Sequence, residues 1–237
     1  MEIVDVVLEA PAGRGRELGS FYRGDIGLAG ADIAGAMLAV RIGAGRLAFT
    51  ANRVPGAEPF YHFALLVPGD RFTAAYDWLG ARRELLPDPE TGDAVFDFDN
   101  WDAYACYCLD PVGNIVELIA HCGVSERGDG GAFSPTELLG FSEVGIVGGD
   151  KVRVAHELGR TLGLSVWDGE SEDPRRLAFV GEKARTLILC PEGRPWLPTG
   201  RPAGMYQVKL VIDGVKGGEA RLPGTPHLVR GRTDKVS

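Results

Sequence analysis

Four ionisable side chains stand in strand-like apolar runs, where they could bind a metal ion. Asp5, His62 and Glu143 each open such a run, and imidazole and carboxylate groups are common ligands of catalytic divalent metals. Glu117 lies inside the apolar segment 115–119, where strand alternation places it on the same face as the two isoleucines of that segment. A buried carboxylate needs a partner. These residue types therefore predict either a metal site or an acid–base site.

The same residues also have a purely structural interpretation. Asp5 could be exposed or paired with an arginine, and His62 could bond to Asp5 or Glu117 with no metal present. Two carboxylates beside one protonated histidine form a satisfied ion cluster, which shifts pKa values without catalysing anything. Glu143 occupies the equivalent position in a later run, which has no second complete set of ligands. The residues alone leave both interpretations open.

Composition limits the classes of partner. The chain has 237 residues and a formal net charge of −8, with no basic block that could follow a phosphate backbone, so no nucleic-acid partner is expected. No apolar stretch reaches the roughly 18 residues of a membrane span, so no membrane partner is expected either. The chain starts in strand-like sequence without a leader, and its four cysteines include no CxxC pair. These features predict a cytoplasmic protein.

A repeated order of elements must position the ionisable residues. Each of the runs that open at Asp5, His62 and Glu143 is followed by a turn, a helical window, a leucine–glycine pair and further strand-like segments. This order predicts an α+β fold of three βαβββ modules. The polar, glycine-rich segment 122–138 is predicted to be a linker, 139–213 to be the third module, and 214–237 to be a partly ordered tail.

Several motifs in this repeat resemble the vicinal oxygen chelate superfamily, the group of glyoxalases, bleomycin-resistance proteins and extradiol dioxygenases. The resemblance covers nearly all of residues 1–121, and segments of the third module resemble some multi-module bacterial members. The motifs are Phe21-Tyr22-Arg23 through Gly27-Leu28, Asp110-Pro111-Val112-Gly113-Asn114-Ile115-Val116-Glu117-Leu118, Leu139 through Gly145, and Pro191 through Trp196.

The resemblance implies that two modules, here within 1–121, pair into a cupped mixed sheet around a divalent metal, with the third module beside them. The family's ligand positions fall on Asp5, His62 and Glu117, and a fourth falls on Ala48, which cannot bind metal. Asp5 replaces the commoner histidine at the first position. Two carboxylates and one imidazole suit Fe²⁺, Mn²⁺ or Zn²⁺. Glu117 could act as a ligand or as the catalytic base.

Two functions follow from this resemblance. The first is a metal-dependent isomerase, lyase or dioxygenase that acts on a small oxygenated metabolite; Glu117 is its candidate catalytic residue. The second is a metal-free protein that binds or sequesters a small molecule, in the manner of the bleomycin-resistance branch. Three modules are an odd number in a fold that pairs its modules, so a homodimer is expected to cover the third.

Overall fold

The computed structural model describes residues 1–127, 130–173 and 175–233, which form sixteen strands and three α-helices. A π-helical turn, Ser20–Asp25, continues the first helix directly. The helices are α1 (Gly15–Gly19), α2 (Phe72–Gly80) and α3 (Lys151–Leu162). The strands are β1 (Glu2–Ala10), β2 (Leu38–Ile42), β3 (Gly45–Ala51), β4 (His62–Val67), β5 (Phe96–Phe98), β6 (Ala103–Leu109), β7 (Ile115–His121), β8 (Gly140–Val147), β9 (Val166–Gly169), β10 (Ala178–Glu182), β11 (Arg185–Cys190), β12 (Pro195–Trp196), β13 (Arg201–Pro202), β14 (Lys209–Asp213), β15 (Gly218–Arg221) and β16 (Leu228–Arg232).

Two mixed sheets contain most of these strands. The eight-stranded sheet has the order β5-β6-β7-β4-β8-β11-β10-β9, and the six-stranded sheet has the order β15-β16-β14-β1-β3-β2. Strands β12 and β13 pair separately as a short two-stranded ribbon. The predicted α+β fold, with two modules paired into one cupped sheet, is confirmed.

The identity of the paired modules differs from the prediction. At the centre of the eight-stranded sheet, β4 pairs antiparallel with β8, so the second module pairs with the third. The first module pairs through β1 with β14, and its sheet is completed by β15 and β16. The paired unit is therefore not 1–121, and β14 does not belong to the third module's sheet.

The C-terminal segment also differs from the predicted partly ordered tail. Strands β15 and β16 form the edge of the six-stranded sheet as far as Arg232, while residues 234–237 lie outside the described part. The third module has a partner within the chain, so an odd number of modules no longer gives a reason to expect a homodimer, which stays a prediction. Within the predicted linker 122–138, the described residues include a 3₁₀ turn at Pro135–Glu137, capped by Ser134.

Helix α3 shows how local sequence produces these elements. The Asp150 carboxylate accepts hydrogen bonds from the amides of Val152 and Arg153, which caps the helix N-terminus. One helix face is buried through Val154, Leu158 and Leu162. The helix ends at a glycine with a positive φ. No helix among the described residues has both the length and the apolar character that crossing a bilayer requires.

Candidate metal centre

Three ionisable side chains meet on the concave face of the eight-stranded sheet. His62 is the first residue of β4, Glu117 lies in the middle of β7, and Glu143 lies in β8. All three are buried, and their potential ligand atoms lie within 4.8 Å of one another. We call these three residues the His/Glu/Glu cluster.

Strand register explains why the cluster forms. Ala64 of β4 is opposite Glu117 on one side and opposite Glu143 on the other, so the two carboxylates flank one small side chain. Successive residues of a strand point to opposite faces, which places His62 on the same face as Ala64. The neighbouring Phe63 faces the main core instead. The cluster therefore follows from alternation in three adjacent strands.

A pseudo-twofold relation between the two paired modules identifies a fourth position. In the central pair Phe63 is opposite Val144, so His62 of one module corresponds to Glu143 of the other. Glu117 is opposite Ala64, and the corresponding residue of the third module is Ile188, which is opposite Gly145. The fourth position is therefore apolar and supplies no ligand. A metal bound by the other three residues would keep coordination positions open.

Hydrogen bonds and burial set the charges in the cluster. The Nε2 atom of His62 lies 2.7 Å from Oε2 of Glu117. Burial and then the negative charge of Glu117 raise the pKa of Glu143 well above its usual range. Burial, together with the charges of the two carboxylates and a hydrogen bond to Glu117, also raises the pKa of Tyr107, which is opposite Glu117 in β6. Burial beside Glu117 thus favours the protonated form of Glu143 when no cation is bound.

The donor set fits a divalent metal. One imidazole nitrogen and two carboxylates are borderline-to-hard ligands that suit Fe²⁺, Mn²⁺ or Zn²⁺. Two ionised carboxylates would balance the charge of one such ion. Among the described residues, the buried Nδ1 of His62 has no hydrogen-bond partner. The second nitrogen of a metal-binding histidine usually has one, so a water or a ligand group would have to satisfy it.

Asp5 does not join the cluster, which corrects the ligand set implied by the sequence. It lies in β1 of the six-stranded sheet, where its carboxylate accepts hydrogen bonds from Nε and Nη2 of Arg46 at 2.6 and 2.8 Å. The physical reason is the pairing of the second module with the third, which supplies Glu143 in place of Asp5. Ala48 lies in β3 of the same six-stranded sheet. His62 and Glu117 are brought together as predicted.

A cavity of about 490 Å³ opens above the cluster. Apart from the cluster its lining is mostly apolar, and one side is formed by residues 194–200, which include strand β12. The Trp196 ring lies 5.0 Å from the His62 ring. Sequence reasoning did not assign Tyr107, Ile188, Arg194 or Trp196 to the site. The signal that was available was Glu143, which opens the third module as His62 opens the second.

Comparison with known proteins supports the fold. No protein-family model matches the chain, and no curated protein matches its sequence. A Bacillus subtilis protein provisionally described as a dioxygenase has a similar structure, with a TM-score of 0.54, 16% identity, and coverage of 90% of this chain and 70% of that one.

Two structures of glyoxalase I from Zea mays are also similar. One has a TM-score of 0.50 and 16% identity, and covers 89% of this chain and 74% of that one. The second, a glutamate-to-glutamine mutant, has a TM-score of 0.50 and 15% identity, and covers 97% and 93% of the two chains. Identities this low establish the fold alone. The chain has the vicinal oxygen chelate fold, as the sequence motifs predict.

Proposed function

We propose that this chain, with its vicinal oxygen chelate fold, is a divalent-metal-dependent enzyme that acts on a small oxygen-bearing molecule. One observation carries the proposal: two carboxylates and an imidazole meet at the floor of a cavity whose remaining lining is mostly apolar. Removing carboxylates from water costs several kcal/mol per ion unless a cation compensates. A divalent ion would compensate both carboxylates at once.

His62, Glu117 and Glu143 would hold this ion, with Ile188 leaving the fourth position open to substrate. When bound, the ion would supply a Lewis acid that polarises substrate oxygens. With both carboxylates bound the site is neutral, which acidifies a bound water less than a cationic site would. Substrate chelation through two oxygens is therefore favoured over the generation of hydroxide.

Glu117 is the candidate catalytic base. Its carboxylate contacts His62, and Tyr107 lies opposite it in β6. Glu117 borders both His62 and Tyr107, and it is the carboxylate placed to accept a proton from a substrate held above it. Tyr107, whose pKa is raised, stays protonated and can donate a hydrogen bond to a substrate oxygen.

Elemental analysis of protein purified without a histidine tag tests this proposal. We expect close to one equivalent of a transition metal, retained in Asp5→Asn and lost in His62→Ala and Glu143→Gln. Asp5→Asn is the matched control. It removes the carboxylate that the family resemblance implies as a metal ligand, and the fold places that carboxylate in the other sheet. Loss of metal in Asp5→Asn together with retention in Glu143→Gln would contradict the assignment.

A metal-free binding protein is the second candidate. Two features favour it: the His62–Glu117 hydrogen bond at 2.7 Å already gives that pair a partner, and Ile188 removes the fourth ligand. The cavity would then sequester a small molecule without converting it. Absence of metal after reconstitution with Fe²⁺, Mn²⁺ and Zn²⁺ would favour this candidate over the enzyme.

A further inference from the structure

An aromatic wall lines one side of the cavity. Phe98, Trp101 and Phe179 all line it, and all three are only partly buried. The Trp101 and Phe179 rings meet edge to face with centroids 4.5 Å apart, and the Trp101 and Phe98 centroids are 5.9 Å apart. The Trp101 indole nitrogen donates to Asp168 at 2.6 Å, which fixes the orientation of the ring. The wall therefore offers an ordered aromatic surface to a ligand.

One permanent cation also lines this cavity. Arg194 is the only arginine or lysine among the lining residues in the described part of the chain. Its Nε donates to the carbonyl of Arg175 at 3.3 Å and its Nη1 to the carbonyl of Pro195 at 3.1 Å. Within the described residues no carboxylate forms an ion pair with it. The guanidinium is thus held by two backbone carbonyls and keeps Nη2 available for a ligand.

The floor and the side wall of the cavity differ in charge. The floor carries the acidic His/Glu/Glu cluster, and Arg194 lies among the residues that form the side wall. Without metal, the acidic floor repels a ligand carboxylate, whereas Nη2 of the Arg194 guanidinium can donate a charge-assisted hydrogen bond to it. A ligand with an acid group at one end would therefore place that group on Arg194 and direct its other end to the floor.

We propose that the cavity binds an aromatic carboxylic acid, with its carboxylate on Arg194, its ring against Trp101 and Phe179, and its remaining oxygen substituents directed to the His/Glu/Glu cluster. This proposal names the substrate class of the proposed function and rests on it for the role of those oxygens. Recognition of the acid group and of the ring depends on Arg194 and the aromatic wall, and needs no metal.

Binding of 2-naphthoate, followed by tryptophan fluorescence, tests the proposal. Trp101 and Trp196 both line the cavity, so quenching reports occupancy. The full chain is used as purified and after chelator treatment, against two analogues: the neutral 2-naphthamide and the saturated decahydro-2-naphthoate. We expect naphthoate to bind about tenfold or more tightly than naphthamide, and several-fold more tightly than the saturated acid.

Arginine variants locate the recognition. In Arg194→Gln the preference for naphthoate over naphthamide should disappear, while Arg194→Lys, which keeps the charge but loses the guanidinium that the two carbonyls hold in place, should retain part of it. Arg221→Gln is the matched control, because Arg221 is an exposed arginine in β15 of the other sheet, and it should keep the full preference. A preference that survives in part in Arg194→Lys would show that Arg194→Gln loses it through the missing charge and not through misfolding.

Three results would overturn the proposal: equal affinity for naphthoate and naphthamide, the same affinities in Arg194→Gln as in Arg221→Gln, or no binding of either probe at millimolar concentration. Equal affinity for naphthoate and the saturated acid would refute the contact between the ligand ring and the aromatic wall.

These outcomes are distinct from failure of the proposed function. A chain that holds no metal yet shows Arg194-dependent binding would be a binding protein for aromatic acids, and a chain that holds metal without acid preference would refute this inference alone.

Discussion

Glu143→Gln should stabilise the metal-free protein and reduce the stability that the protein gains from bound metal. Without metal, Glu143 is buried beside Glu117, and its pKa is raised well above the usual range. Each unit of such a shift costs about 1.4 kcal/mol of folding free energy at a pH above the pKa. Glutamine has the shape of the protonated acid and carries a donor in the same place, and it removes this cost. We expect the chelator-treated variant to be about 1 to 3 kcal/mol more stable than the parent at pH 8.

With metal the variant should lose most of this advantage. A metal at 100 times its Kd stabilises the protein that binds it by about 2.7 kcal/mol. If loss of the Glu143 carboxylate weakens binding about 100-fold, the same metal concentration stabilises the variant by about 0.4 kcal/mol. Metal should therefore raise the unfolding free energy of the parent by about 2 kcal/mol more than that of Glu143→Gln. This trade of stability for binding is the behaviour expected of a functional site.

Urea unfolding with and without added Mn²⁺ or Zn²⁺ measures both effects. Glu58→Gln is the control, since Glu58 is exposed and the change removes the same charge. The control should behave as the parent in both conditions. A metal-free Glu143→Gln protein that is less stable than the parent, and that gains as much stability from metal, would refute the charge assignment and the metal site together.

Three further changes test other parts of the structure. Ile188→His should tighten metal binding roughly tenfold, because it adds a ligand at the position that corresponds to Glu117, and titration calorimetry would measure it. Burial lowers the pKa of His121 to about 4, so the unfolded chain takes up this proton at a higher pH than the folded chain does. The free energy of unfolding should therefore fall by about 2 to 3 kcal/mol as the pH drops from 6.5 to 4. His121→Gln should flatten that profile in urea titrations. Lys151→Met should lose the hydrogen bonds that Nζ donates to three backbone carbonyls, including that of Arg176. This loss should lower the free energy of unfolding by about 2 to 4 kcal/mol. It should also speed tryptic cleavage after Arg176.

Local patterns predicted the elements and one face of the site. Alternation in β7 placed Glu117 with its two flanking isoleucines, and the structure has all three on the concave face. The position of His62 at the start of β4 was also predictable from the sequence, because the apolar run begins there. These features depend on neighbouring residues in one strand, and strand periodicity is visible in a single sequence.

Long-range pairing was not predictable in the same way. The runs that open at Asp5 and at Glu143 read alike, and either could have paired with β4 by local pattern alone. Asp5 therefore replaced Glu143 in the predicted ligand set. Strands β15 and β16 were missed because they are short, contain glycine and arginine, and obtain their stability by pairing onto β14 of a sheet formed elsewhere.

Charge distinguishes the two sheets and favours one of them as the site of the proposed metal. In the six-stranded sheet another cavity, of about 390 Å³, is lined by three cations, Arg46, Lys209 and Arg230, and by two carboxylates, Asp5 and Asp32. The Asp5 carboxylate there is already compensated by a guanidinium at 2.6 Å, and a divalent cation would meet further positive charge. The His/Glu/Glu cluster has no such internal cation, apart from an imidazole that can itself serve as a ligand. The same fold thus neutralises one concave face within the chain and leaves the other acidic, so within the described residues the eight-stranded sheet is the one that a divalent metal would select.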